Sequence, residues 1–264
     1  MSVDAEQLSA LAARLRAAGC VFAEDEARLL LDEFDEADLL EERVRRREAG
    51  EPLELVLGWA ELGGVRLEVA AGVFVPRRRT ELVVRLAKQL VTSPEAIVVD
   101  LCCGVGAVLA ALWAHGARPA EAFAVDVDPV AVACASRNLS GTGALVALGD
   151  LDAPLPGRLA GRVDLITANV FYVPSGELAL MPREARDFEP VHALDGGADG
   201  VELHRRIAQL APRWLAPGGH LLIESSERQA ELTATAMSLA GLETSIARDE
   251  DLGATVVVGR APSA

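Results

Sequence analysis

Val98-Val99-Asp100-Leu101-Cys102-Cys103-Gly104-Val105-Gly106 decides how this chain folds. Two β-branched residues run into an acidic one. A Gly-x-Gly turn follows, and the apolar run Ala107 to Leu112 then opens a helix. A turn of this kind lets a nucleoside approach the backbone, where a Cβ would collide with it or force an unfavourable φ. The stretch predicts a nucleoside-cofactor site at the carboxyl end of a first parallel strand, with Asp100, Cys102, Gly104 and Gly106 beside the ligand.

From this turn to the C-terminus, apolar strand-like runs alternate with helical ones. Strands are predicted over 97–100, 121–125, 144–147, 163–167 and 219–224, with helices starting near 106, 129, 177 or 200, and 202. Such alternation implies a parallel, doubly wound α/β sheet. Residues 242–246 and 255–259 lie close enough to close the sheet as an antiparallel hairpin at one edge. Towards the N-terminus, 56–60, 62–69 and 73–75 read as extended, with Gly58 and Gly63-Gly64 as turns. Pro76 leads into a helix from Thr80 to Leu90, with Thr80 as its cap. Residues 5–49 are nearly free of glycine and proline, and leucines recur at helical spacing around a break at Gly19-Cys20. They predict a small bundle of two or three helices. The expected organisation is a helical module over 1–50, a linker and β-hairpin over 51–75, and a cofactor-binding domain over 76–264.

Composition narrows the function. The 264 residues are 51% hydrophobic and carry a formal net charge of −15. That excess of acid disfavours non-specific binding to nucleic acid or to an anionic membrane. No run of about 18 apolar residues is present, and the first residues carry no basic stretch, so a cytoplasmic protein is expected. Cys20, Cys102, Cys103 and Cys134 form no Cys-x-x-Cys pair and have no histidine at ligand spacing, so they read as reduced thiols and no metal is expected.

Two further acidic positions complete a cofactor constellation. Asp126 ends the second strand about 20 residues after the glycine turn, beside Val127, where a carboxylate accepts both ribose hydroxyls. Asp128, before Pro129, suits a helix N-cap instead. Asp150 follows the third strand, where it would receive the exocyclic amine of adenine while Leu151 covers the ring; the same pair also reads as an ordinary loop. Dinucleotide binding fits less well. Counted from Gly104, Leu109 stands where the third glycine of that fingerprint falls; counted so that Gly104 is the second, Cys102 stands where the first does. An adenosine cofactor without phosphates, S-adenosyl-L-methionine, fits better. Among Arg77, Arg78 and Arg79, at least one would steady a carboxylate, with Phe74 lining the methyl-donor pocket.

The fourth strand ends in Asn169-Val170-Phe171-Tyr172. In an amino-methylating site a side-chain carbonyl such as that of Asn169 accepts an N–H of the acceptor, backbone carbonyls take the second, and the Tyr172 face orients the acceptor beside the sulfonium. The segment reads equally as a strand end with Phe171 and Tyr172 packed in a core. His115, His192, His204 and His220 have no discernible partners. Asp195 and Asp199 fall in a glycine-rich loop, and Glu189 stands where it would brace the Asn169 loop.

Here the chain resembles the HemK/PrmC family of protein-(glutamine N5) methyltransferases. The likeness lies in Glu51-Pro52-Leu53 to Gly58, Pro76 to Glu81, Asp100 to Gly106, Asn169 to Tyr172, Glu189-Pro190, Ala193 to Gly200 and Ala216 to His220, in order and at family-like spacing over about 51–226. The resemblance implies a Rossmann-like class I methyltransferase sheet of seven strands with an antiparallel edge strand. It implies S-adenosylmethionine contacted near Gly104, Gly106, Asp126, Asp150 and Asn169, and an N-terminal module that recognises a peptide release factor carrying a Gly-Gly-Gln loop. The family's Asn-Pro-Pro-Tyr turn is Asn169-Val170-Phe171-Tyr172 here. The prolines fix φ near −65°, a constraint that Val170 and Phe171 release. The N-terminal module is also shorter than is usual for the family and strongly acidic. Three activities are therefore open: methyl transfer to a release-factor glutamine; an enzyme of specialised metabolism that methylates a small molecule, or turns the cofactor on itself and frees methylthioadenosine; and a non-catalytic cofactor sensor.

Overall fold

The computed structural model describes residues 5–181, 183–188 and 196–263; Glu189, His192 and Asp195 lie outside these. Three helices open the chain: α1 (Ala5–Ala17), α2 (Ala23–Glu33) and α3 (Ala37–Glu48). Leu11, Leu15, Ala23, Ala27, Leu30 and Val44 bury their apolar stripes against one another. Arg47 fastens this bundle from below. It is 7% exposed, binds Glu26 at 2.6 Å and Glu184 at 2.7 Å, and donates to the carbonyl of Glu51 at 3.1 Å.

A short helix, α4 (Leu53–Leu57), follows Pro52 and is closed by Gly58 at φ 82°. Residues 56 and 57 are thus helical, not extended. Two strands, β1 (Trp59–Leu62) and β2 (Val65–Glu68), pair antiparallel around Gly63-Gly64. Residues 73–75 form no strand; Val73 and Val75 are simply buried. A 3-10 turn at Arg78–Thr80 leads into α5 (Glu81–Leu90), and Thr80 caps nothing with its side chain. Its hydroxyl is engaged elsewhere, as described below.

The rest alternates as the apolar pattern requires: β3 (Ile97–Leu101), α6 (Ala107–Ala114), β4 (Glu121–Asp126), α7 (Pro129–Asn138), β5 (Leu145–Leu148), β6 (Val163–Ala168), α8 (Arg183–Phe188), α9 (Glu202–Trp214), β7 (Leu215–Ser225), α10 (Ala230–Leu239), β8 (Glu243–Asp249) and β9 (Ala254–Arg260). Ser175–Leu180 is a 3-10 segment, and α10 is a helix the periodicity does not announce. The seven strands run β5-β4-β3-β6-β7-β9-β8. All pairs from β5 to β7 are parallel, whereas β9 pairs antiparallel with both β7 and β8. The closing hairpin does sit at the edge, but its reversed strand, β9, lies one position in.

Alternation along β3 sends Val98 to one face of the sheet and Ile97, Val99 and Leu101 to the other. The first face is covered by α5, α6 and α7 with the β1–β2 hairpin, the second by α9 and α10. Strand order reverses at β3, between β4 and β6. A ligand crevice is expected outside the carboxyl ends at such a switch point.

Candidate active site

A cavity of about 550 Å³ opens at that switch point. It is walled by the loops after β3, β4, β5 and β6 and by the start of α9. Of the positions singled out in the sequence, Phe74, Cys102, Gly104, Asp126, Val127, Asp150, Leu151, Asn169, Phe171 and Tyr172 line it. Arg77, Asp100 and Gly106 do not. Arg77 stacks over the Phe74 ring, 5.4 Å from its centroid. Asp100 is 1% exposed beneath the loop. Gly106 begins α6 at φ 78°, where a Cβ would meet Leu139 at 3.0 Å and Ala135 at 3.3 Å. Its glycine serves helix packing rather than ligand access.

Gly104 behaves in the opposite way. Its φ is 54°, and a Cβ there would meet no protein atom within 4 Å; it would project into the cavity. The loop is pinned by Cys103 N–H donating to Val125 O at 3.0 Å, and by Gly104 N–H donating to Asp126 Oδ2 at 2.8 Å. Asp126 Oδ1 accepts from Asp128 N–H at 3.0 Å. Each carboxylate oxygen keeps a second lone pair for a ligand hydroxyl. Burial pushes the Asp126 carboxyl up, while the N–H groups of Asp128 and Gly104 hold it down. Asp128 itself caps α7, accepting from Val130 N–H at 2.7 Å and Ala131 N–H at 3.4 Å. At the far end Asp150 Oδ2 is held by Arg206 at 2.7 Å, beside buried Leu151 at φ 50°. An open cradle at Gly104, a ribose-type acceptor at Asp126 and an apolar slot with a carboxylate at Leu151 and Asp150 together fit an adenosine.

Asp100 underlies this site. Its Oδ1 accepts the Thr167 hydroxyl at 2.6 Å, while Oδ2 is buried without a partner. Burial lifts its pKa to about 7, opposed by the Thr167 bond and reinforced by Asp126. The Cys102 and Cys103 thiols are pushed well up, chiefly by burial, so neither serves as a thiolate near neutral pH.

At the other end stands the loop after β6. Asn169 donates from Nδ2 to Thr80 Oγ1 at 3.0 Å, and no described group bonds its Oδ1. Val170 is 2% exposed and belongs to the second core face, so the residue at the first proline position is held by packing rather than by a ring. The Tyr172 ring lies under the Arg79 guanidinium, 5.4 Å from Cζ to centroid, and burial pushes its phenol up to about 12. The loop's outer carbonyls are occupied: Tyr172 O by Gln229 Nε2 at 2.6 Å, and Val173 O by Gly196 N–H at 2.8 Å. Behind it Glu224, fully buried on β7, receives Arg79 Nε at 2.9 Å. Glu224, Gln229 and Arg206 are neighbours of the site that the motifs do not name, whereas Arg79 is the member of the arginine triplet that meets a carboxylate. A lone glutamate closing the apolar run Leu221-Leu222-Ile223 was the available signal for Glu224. Of the described histidines, His115 bonds Gly63 O, and His204 is buried against Thr233 with its pKa lowered to about 4 by burial. His220 lies on β7, and none of the three lines the cavity. Among the described residues no cluster of three His, Cys, Asp or Glu is arranged to hold a metal, and no helix is long and apolar enough to cross a membrane.

A methyltransferase-domain family model matches residues 98–190. A solved methyltransferase from Pyrococcus furiosus superposes with a TM-score of 0.52 at 15% identity, covering 84% of this chain and 98% of that one. The sheet order, the site at its switch point and these likenesses define a class I S-adenosylmethionine-dependent methyltransferase. The release factor glutamine methyltransferase of Mycolicibacterium smegmatis is 36% identical over 253 residues, 95% of this chain and 86% of that one. The chain belongs to the release factor glutamine methyltransferase family. A 4-amino-L-phenylalanine/4-methylamino-L-phenylalanine methyltransferase from Streptomyces pristinaespiralis is also 37% identical over 194 residues, 70% of this chain and 65% of that one.

Proposed function

We propose that the chain methylates the side-chain amide nitrogen of glutamine in a peptide release factor. In this reading residues 1–50 recognise the partner, 51–75 connect, and 76–264 carry the chemistry. The observation that carries it is the Asn169 amide at the cavity wall: its nitrogen is tied to Thr80, and among the described residues none bonds its oxygen. That oxygen accepts one N–H of the acceptor and turns its lone pair towards the donor carbon.

When bound, the cofactor supplies a methyl group already activated by a positively charged sulfur. Asp126 would hold the ribose hydroxyls, Asp150 would take the adenine amine on Oδ1, which no described residue bonds, and Leu151 would cover the ring. Phe74 and Arg77 lie at the donor end. Phe171 and Tyr172 would exclude water, and the Tyr172 face not covered by Arg79 would lie near the sulfonium, a contact of about 0.5–2 kcal/mol. With its phenol held neutral to about pH 12, Tyr172 orients rather than takes a proton. Catalysis by positioning and desolvation is sufficient for an electrophile of this kind.

A second reading, an amino-acid or arylamine acceptor, is favoured by the Streptomyces pristinaespiralis relative and by Val170-Phe171 in place of the family's two prolines. Incubation with methyl-labelled cofactor separates the two. Label on the glutamine of a Gly-Gly-Gln release-factor domain is the expected result. Label only on 4-amino-L-phenylalanine supports the second reading and overturns the first. Methylthioadenosine formed without any acceptor overturns both.

A further inference from the structure

The two ends of an asparagine amide have nearly the same shape, so packing alone does not decide which one faces a substrate. Hydrogen-bond polarity does. Asn169 bonds Thr80 Oγ1 at 3.0 Å, and Thr80 is 3% exposed. Next to Thr80 stands Glu224: its Oε1 receives Arg79 Nε at 2.9 Å, and its Oε2 is buried with no hydrogen-bond partner among the described residues. An ionised carboxylate only accepts. The Thr80 hydroxyl has a single hydrogen and rotates freely. Turned towards Glu224, it leaves Thr80 able only to accept from Asn169. Asn169 must then present its NH₂ end to Thr80 and its oxygen to the cavity.

We propose that Glu224, acting through Thr80, is a positioning pair that sets which end of the Asn169 amide faces the methyl acceptor. This rests on the reading of Asn169 as the acceptor's hydrogen-bond partner. Arg79 is the third member. Burial pushes the Glu224 carboxyl up, whereas the Arg79 charge and the Thr80 hydroxyl pull it back. The same guanidinium covers the Tyr172 ring, so one buried carboxylate organises both residues that flank the acceptor. Neither Thr80 nor Glu224 lines the cavity, so both act only through others.

The test uses the full chain and three variants. Thr80→Val keeps the shape and removes the hydroxyl; Thr80→Ser restores it; Glu224→Gln replaces an obligate acceptor with a group that also donates. With whichever acceptor the wild type methylates, Thr80→Val and Glu224→Gln are expected to lower kcat by about 10²-fold, the loss typical of a misplaced reacting group. Cofactor affinity should stay unchanged, and Thr80→Ser should recover most of kcat. A second measurement needs no acceptor. The Asn169 side-chain amide protons, followed by NMR exchange, should be protected in wild type and Thr80→Ser and exposed in Thr80→Val. Should Glu224→Gln fail to fold, the two Thr80 variants still decide. An unchanged kcat in Thr80→Val, or equal exchange of the Asn169 amide across the variants, overturns the proposal. Failure of all acceptors would count against the proposed function alone, because the exchange measurement still discriminates.

Discussion

Replacing Asp100 by Asn should stabilise the cofactor-free protein above neutral pH and flatten its pH dependence. Asp100 is 1% exposed and meets a single hydrogen-bond donor, the Thr167 hydroxyl at 2.6 Å. Burial raises its pKa from 3.8 to about 7. A carboxyl that holds its proton more tightly when folded favours the folded state below the unfolded pKa. That advantage is lost as pH rises through the folded pKa, because the unfolded chain then ionises at no cost while the folded one must bury a charge. The window runs from about pH 4 to about pH 7. A gap of roughly three units corresponds to about 4 kcal/mol, an order-of-magnitude ceiling. Asn is nearly isosteric, cannot ionise, and still accepts from Thr167. Its oxygen carries no charge, so Asp126 is relieved as well. The assay is urea unfolding of wild type and Asp100→Asn at pH 5 and pH 8 without cofactor. Comparing the two proteins cancels the titration of the many surface carboxylates. The stability gap should widen in favour of Asp100→Asn by about 2–4 kcal/mol between the two pH values. A gap that stays constant would refute the buried-charge reasoning.

The glycines yield three more expectations. Gly200 has φ 77°, and a Cβ there would overlap Gln229 Nε2 and the Tyr172 carbonyl. Gly200→Ala should therefore cost about 1–2 kcal/mol of backbone strain and about 1 kcal/mol for the displaced bond, read as a lower thermal midpoint together with a lower kcat. Gly104→Ala, with no protein atom within 4 Å, should fold with a loss of about 1–2 kcal/mol yet bind S-adenosylmethionine weakly by calorimetry. Gly106→Ala, whose Cβ meets Leu139 at 3.0 Å, should lose stability and spare affinity.

What the sequence discloses is local. The strands at 97–101, 121–126 and 163–168 are short apolar runs punctuated by turn residues, and buried parallel strands must look like that. The cofactor loops follow because each acidic residue sits at a strand end. Where reading failed, distant partners had taken over. Residues 56 and 57 favour extension on their own, but in α4 both bury against the helical bundle while Leu55 joins the core beneath the hairpin. The buried face of α10 is Ala230, Thr233, Ala234 and Met237, too small and mixed to stand out as an apolar stripe. Thr80 has the composition of a cap, yet its hydroxyl is claimed by a residue 89 positions away. No local pattern could announce that bond, and the orientation of the Asn169 amide hangs on it.

Arg47 has a mechanical consequence. The Arg47 guanidinium on α3 ties the second helix to α8, whose Glu184 lies 137 residues beyond Arg47, and α8 follows the segment that leaves Val173 and passes Met181 at the cavity wall. Whatever grips the first three helices pulls on that segment. The Arg47 ion pairs join the outer bundle to the rim of the pocket directly, without passing through the sheet.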